Sequence, residues 1–592
     1  MDKELFNKLN EKQKQAVNYM TGPSIILAGA GSGKTRVLVY KVLNIIKSKK
    51  ASSHETVMIT FTNKAASEMR RRIGGASLGF IGTFHSFCAM ILRRNAHLLG
   101  IDNSFVIYDD NDQENLIKQI IKEYPIKKNP ASYYLNRISA AKNSLIGPDR
   151  FLKIFSDYKA EETAEIYNKY QKKLKENQAF DFDDLIMKTV ELFMKQPQVL
   201  QRYQDKFKFL LVDEFQDTNY AQYVLTRILG EKYKNVTVVG DFSQSIYSWR
   251  GANIQNLESF KQDFPETKTF YLEENYRSTQ NILDFAYKVI SKNQTHPVLE
   301  LFTKNLKGEE IIFQEANTEQ DEAVFIAEEI ERELINHTYS DFAVLYRTNA
   351  QSRIIEEAFL HYGIPYILIG GTRFYERKEI KDVLSYLRLL INSTESVSTE
   401  RIQKLGKKRW QEFKEAYEEL KSEVLELNTN DLIEKVFEKT HYLDFYDPEN
   451  EEDYSRLENI KELKSVALNF PKLENFLEQV ALVESEYFEK EKLNKNKEGA
   501  KLMTLHQAKG LEFAVVFIVG VEEGILPHSR SVEDNFQLEE ERRLFYVGIT
   551  RAKEKLFITF TRRRFIFGRR GETIKSRFIN DDFEENLMSK TF

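Results

Sequence analysis

The stretch Ala28-Gly29-Ala30-Gly31-Ser32-Gly33-Lys34-Thr35 constrains the fold of this chain more than any other. It follows an apolar run, Ile25-Ile26-Leu27-Ala28, and opens a helical pattern. A buried strand, a glycine-rich turn and a helix N-terminus together wrap backbone N–H groups around phosphate oxygens. Lys34 is then the cation that reaches the β- and γ-phosphates, and the Thr35 hydroxyl is a ligand for Mg²⁺. Ala28 stands where the usual P-loop has its first glycine. A chance glycine-rich turn would not bring strand, helix and Gly-Lys-Thr together.

Leu211-Val212-Asp213-Glu214 is the natural counterpart. An acidic residue ending an apolar strand can hold the Mg²⁺ shell, and Asp213 takes that role. Glu214 can orient and deprotonate an attacking water. An ordinary acidic strand end would be the better reading without a P-loop upstream. Phosphoryl transfer also draws on arginines, and the candidates are Arg277 in Glu274-Asn275-Tyr276-Arg277-Ser278 and Arg551 in Gly548-Ile549-Thr550-Arg551-Ala552. By periodicity alone, either would be a surface arginine.

The chain has 592 residues, room for about four compact units. Its 86 basic and 90 acidic residues leave a net charge of −4, so any basic surface is local. The one cysteine, Cys88, excludes an internal disulfide and a cysteine-based zinc site and reads as a buried small apolar group. The polar start, Met1 to Gln15, predicts no signal peptide. Runs such as Ala514 to Val519 are too short to cross a bilayer.

Further buried strands are predicted at Val57 to Phe61, Phe209 to Val212 and Val236 to Val239. The charged segment from Val106 to Lys195 reads as a helical insertion. A second α/β pattern begins near Thr269, with clear strands at Phe342 to Tyr346 and Val515 to Val519. Another helical stretch, about Arg373 to Ala500, interrupts it. Glu412 to Leu427 illustrates the period, with Phe413, Tyr417, Leu420 and Val424 on one face. Glu489 to Glu498 reads as a solvated connector.

These motifs, taken in order, resemble the UvrD/PcrA/Rep type of superfamily 1 DNA helicases. Leu9-Asn10-x-x-Gln13 resembles the adenine-reading Q motif, and Ala28 to Thr35 is similar to motif I. Phe61-Thr62-Asn63-Lys64-Ala65-Ala66 and Gly82-Thr83-Phe84-His85-Ser86 resemble motifs Ia and Ib. Asp213 to Asp217, Val239 to Ala252 and Asn275 to Ser278 resemble motifs II, III and IV. Thr504 to Phe513 and Glu540 to Ala552 resemble motifs V and VI.

The resemblance implies two RecA-like parallel-sheet P-loop domains, each interrupted by a helical insertion. Residues 1–105 with 196–275 would form the first and 106–195 its insertion. Residues 276–372 with 501–580 would form the second and 373–500 a shortened insertion, before an acidic tail, 581–592. Gln13 and Tyr276 would hold adenine, with Arg36 beside it. Gln244 would sense the γ-phosphate, Arg277 and Arg551 would be arginine fingers of the second core, and Glu512 would contact ribose. ATP and Mg²⁺ are the implied cofactors, with ATP between the cores.

A motor on a single strand needs flat side chains to stack on bases and cations to hold phosphates. Tyr247, Trp249 and Arg250 stand close together in a loop that follows an apolar strand. Core packing is the usual fate of such aromatics, but Arg250 and the loop setting favour exposure. The resemblance adds Phe61, Asn63, His85, Phe182, His506 and Phe567. The basic run from Arg562 to Arg577 suits phosphate contact or a solvated face equally.

The resemblance fails in the second insertion. Leu390-Ile391-Asn392-Ser393-Thr394 runs almost directly to Ser398, without the Pro-Arg-Gly-Ile-Gly type turn that contacts duplex DNA in relatives. The reading is an ATP-dependent 3′–5′ DNA helicase of repair or replication restart in a bacterial-type cytoplasm. Its alternatives are a strand-stimulated translocase that needs a partner to unwind, and an ATP-gated DNA-binding module. Expected partners are single-stranded DNA and single/double-strand junctions, with repair or replication proteins, no membrane, and a monomer or weak dimer.

Overall fold

In the computed structural model, residues 9–74, 78–123, 129–157, 159–493, 498–566 and 569–579 are described. They fall into two units, Met1–Ser278 with Ile290–Leu306, and Thr279–Val289 with Lys307–Phe592.

The first unit contains helix α1 (Glu11–Asn18), strand β1 (Ser24–Ala28), helix α2 (Lys34–Lys47), β2 (Thr56–Thr60), β3 (Phe80–Thr83) and β4 (Val106–Tyr108). Helix α3 (Ala131–Asn143), β5 (Ala179–Asp181), α4 (Phe182–Lys195), β6 (Phe209–Val212) and α5 (Tyr220–Gly230) follow. Then come β7 (Val236–Gly240), β8 (Lys268–Leu272), β9 (Glu274–Asn275) and β10 (Phe302–Thr303). Six strands form one parallel sheet in the order β3-β2-β6-β7-β1-β8. Every residue of β1, β2, β6 and β7 is buried, which is why these strands read as predominantly apolar runs. Alternate residues feed two cores. Ile25, Leu27, Val57 and Ile59 join one, and Ile26, Ala28 and Met58 join the other, with Val37, Leu38 and Val42 of α2.

Strand β8 corrects the expectation that a second α/β pattern begins near Thr269. It pairs with β1, Ser24 opposite Lys268, and closes the first sheet. Phe270 and Leu272 enter the same core as Ile26, while Tyr271 is exposed on this edge strand. Residues 290–306, expected in the second core, cluster with the first unit, and β10 pairs with β9.

The insertion at 106–195 is largely helical, with β4 and β5 as a small parallel pair. Its helix α4 also sends Leu185, Ile186, Val190 and Phe193 into the core under the first sheet. Cys88 lies in that core, and burial pushes its thiol up to about 12.

The second unit holds a six-stranded parallel sheet of β11 (Ile312–Ala316), β12 (Phe342–Tyr346), β13 (Tyr366–Leu368), β14 (Ala500–Thr504), β15 (Phe513–Ile518) and β16 (Ala552–Thr561). The order is β11-β16-β15-β12-β14-β13. A hairpin of β17 (Arg563–Ile566) and β18 (Arg569–Glu572) follows. Its insertion packs helices from Lys378–Ile391 to Leu473–Leu493 around their own core. The helix Lys407–Glu423 buries Phe413 and Leu420, with Tyr417 and Val424 partly covered, so the predicted face is observed. Helix continues to Leu493, replacing the first half of the expected connector. Among the described residues, no helix is long and apolar enough to cross a membrane.

Candidate functional site

The P-loop forms because β1 ends buried and the turn after it uses conformations open to glycine. Gly31 and Gly33 have φ of +65° and +84°, a region costly for other residues. A methyl group at Gly31 would lie 2.6 Å from Asn275 Nδ2, so the backbone here is closely approached. Gly33 precedes α2, whose first backbone N–H groups and dipole favour an anion.

Around this turn the first unit gathers polar side chains that follow β1, β6 and β7. Thr35 Oγ1 lies 3.3 Å from Asp213 Oδ2. Lys34 Nζ lies 3.4 Å from Ala28 O and 3.7 Å from Asp241 Oδ2, longer than a good hydrogen bond. Gln244 Nε2 donates to the same Asp241 oxygen at 2.7 Å. Burial, and then the neighbouring Glu214, push Asp213 up to about 7, against the pull of Lys34. Burial also raises Asp241. Glu214 has φ of +52°, a strained value for a non-glycine residue, and accepts from Gln216 Nε2 at 2.6 Å.

Gln13 is buried, and its Nε2 donates to Ser32 O at 2.9 Å. It also closes a capping box with Asn10 at the start of α1. Asn10 Nδ2 in turn donates to the hydroxyl of Tyr276, which is half exposed, at 2.9 Å. Arg36 is exposed on α2.

Two expected residues of the second core belong here instead. Asn275 Nδ2 donates to Ala30 O at 2.7 Å and Tyr276 N to Gly31 O at 3.1 Å, fixing Tyr276 and Arg277 against the P-loop in the first unit. The reason is backbone satisfaction, since the tight turn leaves carbonyls that Asn275 and Tyr276 complete. Arg551 and Glu512 lie in the second unit. Arg551 is buried and donates to Val547 O, Leu511 O and Thr550 Oγ1 at 2.9, 3.1 and 3.0 Å. Glu512 is exposed and pairs with Lys553 at 3.0 Å.

The residues present suit a nucleotide phosphate chain and Mg²⁺. Among the described residues, Ser32 Oγ in the P-loop is buried without a hydrogen-bond partner. Thr35 and Asp213 converge as oxygen ligands for a hard cation.

Five of the aromatic candidates lie in the first unit, in two contact groups. Phe61 follows β2 and stacks on Tyr247, centroids 5.9 Å apart and planes 8° apart. Tyr247 meets Trp249 edge to face at 6.4 Å, and the Arg250 guanidinium sits 4.5 Å from the Trp249 ring. Trp249 is 47% exposed, so it is not a core tryptophan. His85, after β3, contacts Phe182 at 5.9 Å, and burial lowers the His85 pKa. Phe182 is exposed at the start of α4, and Asn63 is exposed at the start of its helix. His506, in the turn after β14, belongs to the second unit. Phe567 lies outside the described residues. In the basic run, Arg564 is buried between Glu322 and Glu522 at 2.6 and 2.8 Å, so it is structural and not a phosphate contact.

Sequence reasoning gave no role to Asp241, Gln216 or Asn275, although each sits in a quoted motif. His296 and Leu301 carry no motif signal. His296 Nε2 lies 3.1 Å from Ser243 Oγ, and Leu301 covers Gly29, where a methyl group would lie 2.3 Å from Leu301 Cδ2.

A parallel sheet with a P-loop after one strand and a carboxylate pair after another defines a P-loop nucleotide-binding ATPase core. Comparison with known proteins narrows the class. A family model for the UvrD/REP helicase N-terminal domain matches residues 9–265. A model for the UvrD-like helicase C-terminal domain matches 270–446 and 403–563. The chain is 42% identical to the ATP-dependent DNA helicase PcrA of Staphylococcus aureus strain Mu50, over 99% of this chain and 87% of that protein. It is equally identical to the protein of that name from Staphylococcus epidermidis strain RP62A, over 99% and 88%. The chain belongs to the UvrD/REP helicase family.

Proposed function

We propose that this protein is an ATP-dependent DNA helicase that moves 3′ to 5′ along single-stranded DNA and unwinds duplex in repair or replication. One observation carries the reading. The single loop 240–251 serves both sites, with Asp241 and Gln244 at Lys34 and Tyr247, Trp249 and Arg250 on the aromatic face.

Lys34 and the P-loop N–H groups hold the phosphates, and Gln13 with Tyr276 flank the base. Glu214 accepts the proton of the water that attacks the γ-phosphate, while Gln216 fixes its carboxylate. Arg277 and Arg551 are the candidates for stabilising charge on the transferred group. Mg²⁺, held by Thr35 and Asp213, would neutralise charge on the phosphate oxygens. Phe61, His85, Phe182, Tyr247 and Trp249 offer stacking surfaces and Arg250 a phosphate contact, joined by Asn63, His506 and Phe567. DNA junctions and repair or replication proteins in a cytoplasm are the proposed partners and setting.

The test is ATP turnover with Mg²⁺, with and without an oligothymidine single strand. Strand-stimulated turnover, absent in Lys34→Ala, is expected. Turnover indifferent to the strand would contradict the reading. A second reading, a translocase that needs a partner to unwind, is favoured by the second insertion. There the helices Lys378–Ile391 and Ser396–Lys404 follow one another without the duplex-contacting turn.

A further inference from the structure

We infer that the C-terminal end of α3, in the first insertion, is the positioning element that couples the strand-binding aromatics to the hydrolytic carboxylate loop, through Lys142 and Asn143. This rests on the function proposed above, and it assigns a role to two residues outside every motif.

Lys142 faces the aromatics. Its ammonium is fully buried, 2.5 Å from Asp181 Oδ2 and 3.0 Å from Asp184 Oδ2. Asp181 is the N-cap of α4, accepting from Asp184 N at 2.8 Å, and Tyr170 OH donates to it at 3.0 Å. Phe182, between the two carboxylates, is the exposed first residue of that helix and touches His85. Lys142 therefore fixes the backbone from which Phe182 projects. A buried charge so paired has few alternative positions.

Asn143 faces the chemistry. Its Oδ1 accepts from Asn219 Nδ2 at 2.7 Å. Asn219 caps α5 and ends the loop that begins at Glu214. Gln216 in that loop donates to both Glu214 and Asp217, at 2.6 and 3.2 Å. The same corner receives the Trp249 loop. A methyl group at Gly251 would lie 3.6 Å from Asn143 Cβ and 3.7 Å from Asn219 Cβ. Two adjacent residues of one helix thus join Phe182, the end of the tryptophan loop and the end of the carboxylate loop, all within the first unit. A displacement of Phe182 by a stacked base moves α3 and, through Asn143, the loop that orients Glu214.

The experiment uses the full chain, an oligothymidine strand, ATP turnover against strand concentration, and strand affinity by anisotropy. Asn143 is half buried, so Asn143→Ala should fold, whereas Lys142→Met would strand two buried carboxylates. In Asn143→Ala, basal turnover and strand affinity should hold, while kcat at saturating strand falls about fivefold or more, the lower end of typical site-to-site coupling; a kcat within about twofold of the unaltered chain would overturn the inference. Asn143→Asp keeps the acceptor and should retain stimulation; loss equal to that of Asn143→Ala would count against the bond. Asn219→Ala should lower stimulated kcat as Asn143→Ala does, and the double variant should fall no further. Multiplying losses would mean that the two do not act through one contact. If the unaltered chain shows no strand stimulation, the proposed function fails and the coupling with it. If stimulation is present and survives Asn143→Ala, the coupling alone fails.

Discussion

Each unit has its own six-stranded parallel sheet, but the charged residues beside the two sheets are paired differently. In the second, three buried arginines are closely matched by carboxylates. Arg564 lies between Glu322 and Glu522, Arg347 pairs with Glu541 at 2.8 Å, and Arg353 meets Glu357 and Glu462, each at 2.8 Å. In the first, Lys34 reaches Asp241 only at 3.7 Å, Ser32 Oγ has no partner, and burial holds Asp213 and Asp241 above the usual carboxylate range. The second unit holds these arginines within its own fold, whereas the P-loop corner of the first leaves Lys34 loosely paired. Function therefore resides in the strand-end loops and not in the architecture.

Substitutions can break or sharpen that contrast. The largest effect expected is from Lys34→Ala, with ATP turnover lost and thermal stability unchanged, because Lys34 is loosely held. A stability loss with turnover retained would reverse the comparison. Glu214→Gln should lower kcat by about 10²–10⁴, the usual worth of a general base, with nucleotide binding retained in a fluorescent-nucleotide titration. In the second unit, Arg564→Met leaves Glu322 and Glu522 without their buried partner and should cost about 3–5 kcal/mol in denaturant unfolding, while nucleotide binding by the folded protein persists. Lost nucleotide binding without destabilisation would show that this charge is not purely structural. Trp249→Ala should weaken single-strand affinity by about 1–3 kcal/mol, one base stack, and unchanged affinity would remove Trp249 from the interface.

The sequence made the first sheet legible because its central strands are buried on both faces and so are mostly apolar, with Ser24, Thr56, Thr60 and Thr237 as small polar exceptions. Strand β8 was harder to assign. Lys-Thr-Phe-Tyr-Leu at a sheet edge alternates, and nothing local says that it pairs with β1, some 240 residues earlier. Strand β16 opens with Ala-Lys-Glu-Lys, a charged start that hides a strand central to the second sheet. At the site, Lys34, Thr35 and Asp213 were readable from spacing, since the chemistry demands those residue types there. Asn275 and Leu301 were not, because closing the P-loop from behind is a matter of tertiary contact. The placement of Arg277 beside the P-loop is hidden for the same reason, since the bond from Asn275 to Ala30 O that holds this segment spans 245 positions.

The most direct test of the account is unwinding, in Mg-ATP and with enzyme in excess, of a duplex with a 3′ single-stranded tail against one with a 5′ tail. The account predicts strand separation of the 3′-tailed duplex alone, abolished by Glu214→Gln. Unwinding of the 5′-tailed duplex instead, or of neither while the strand leaves ATP turnover unchanged, would contradict it.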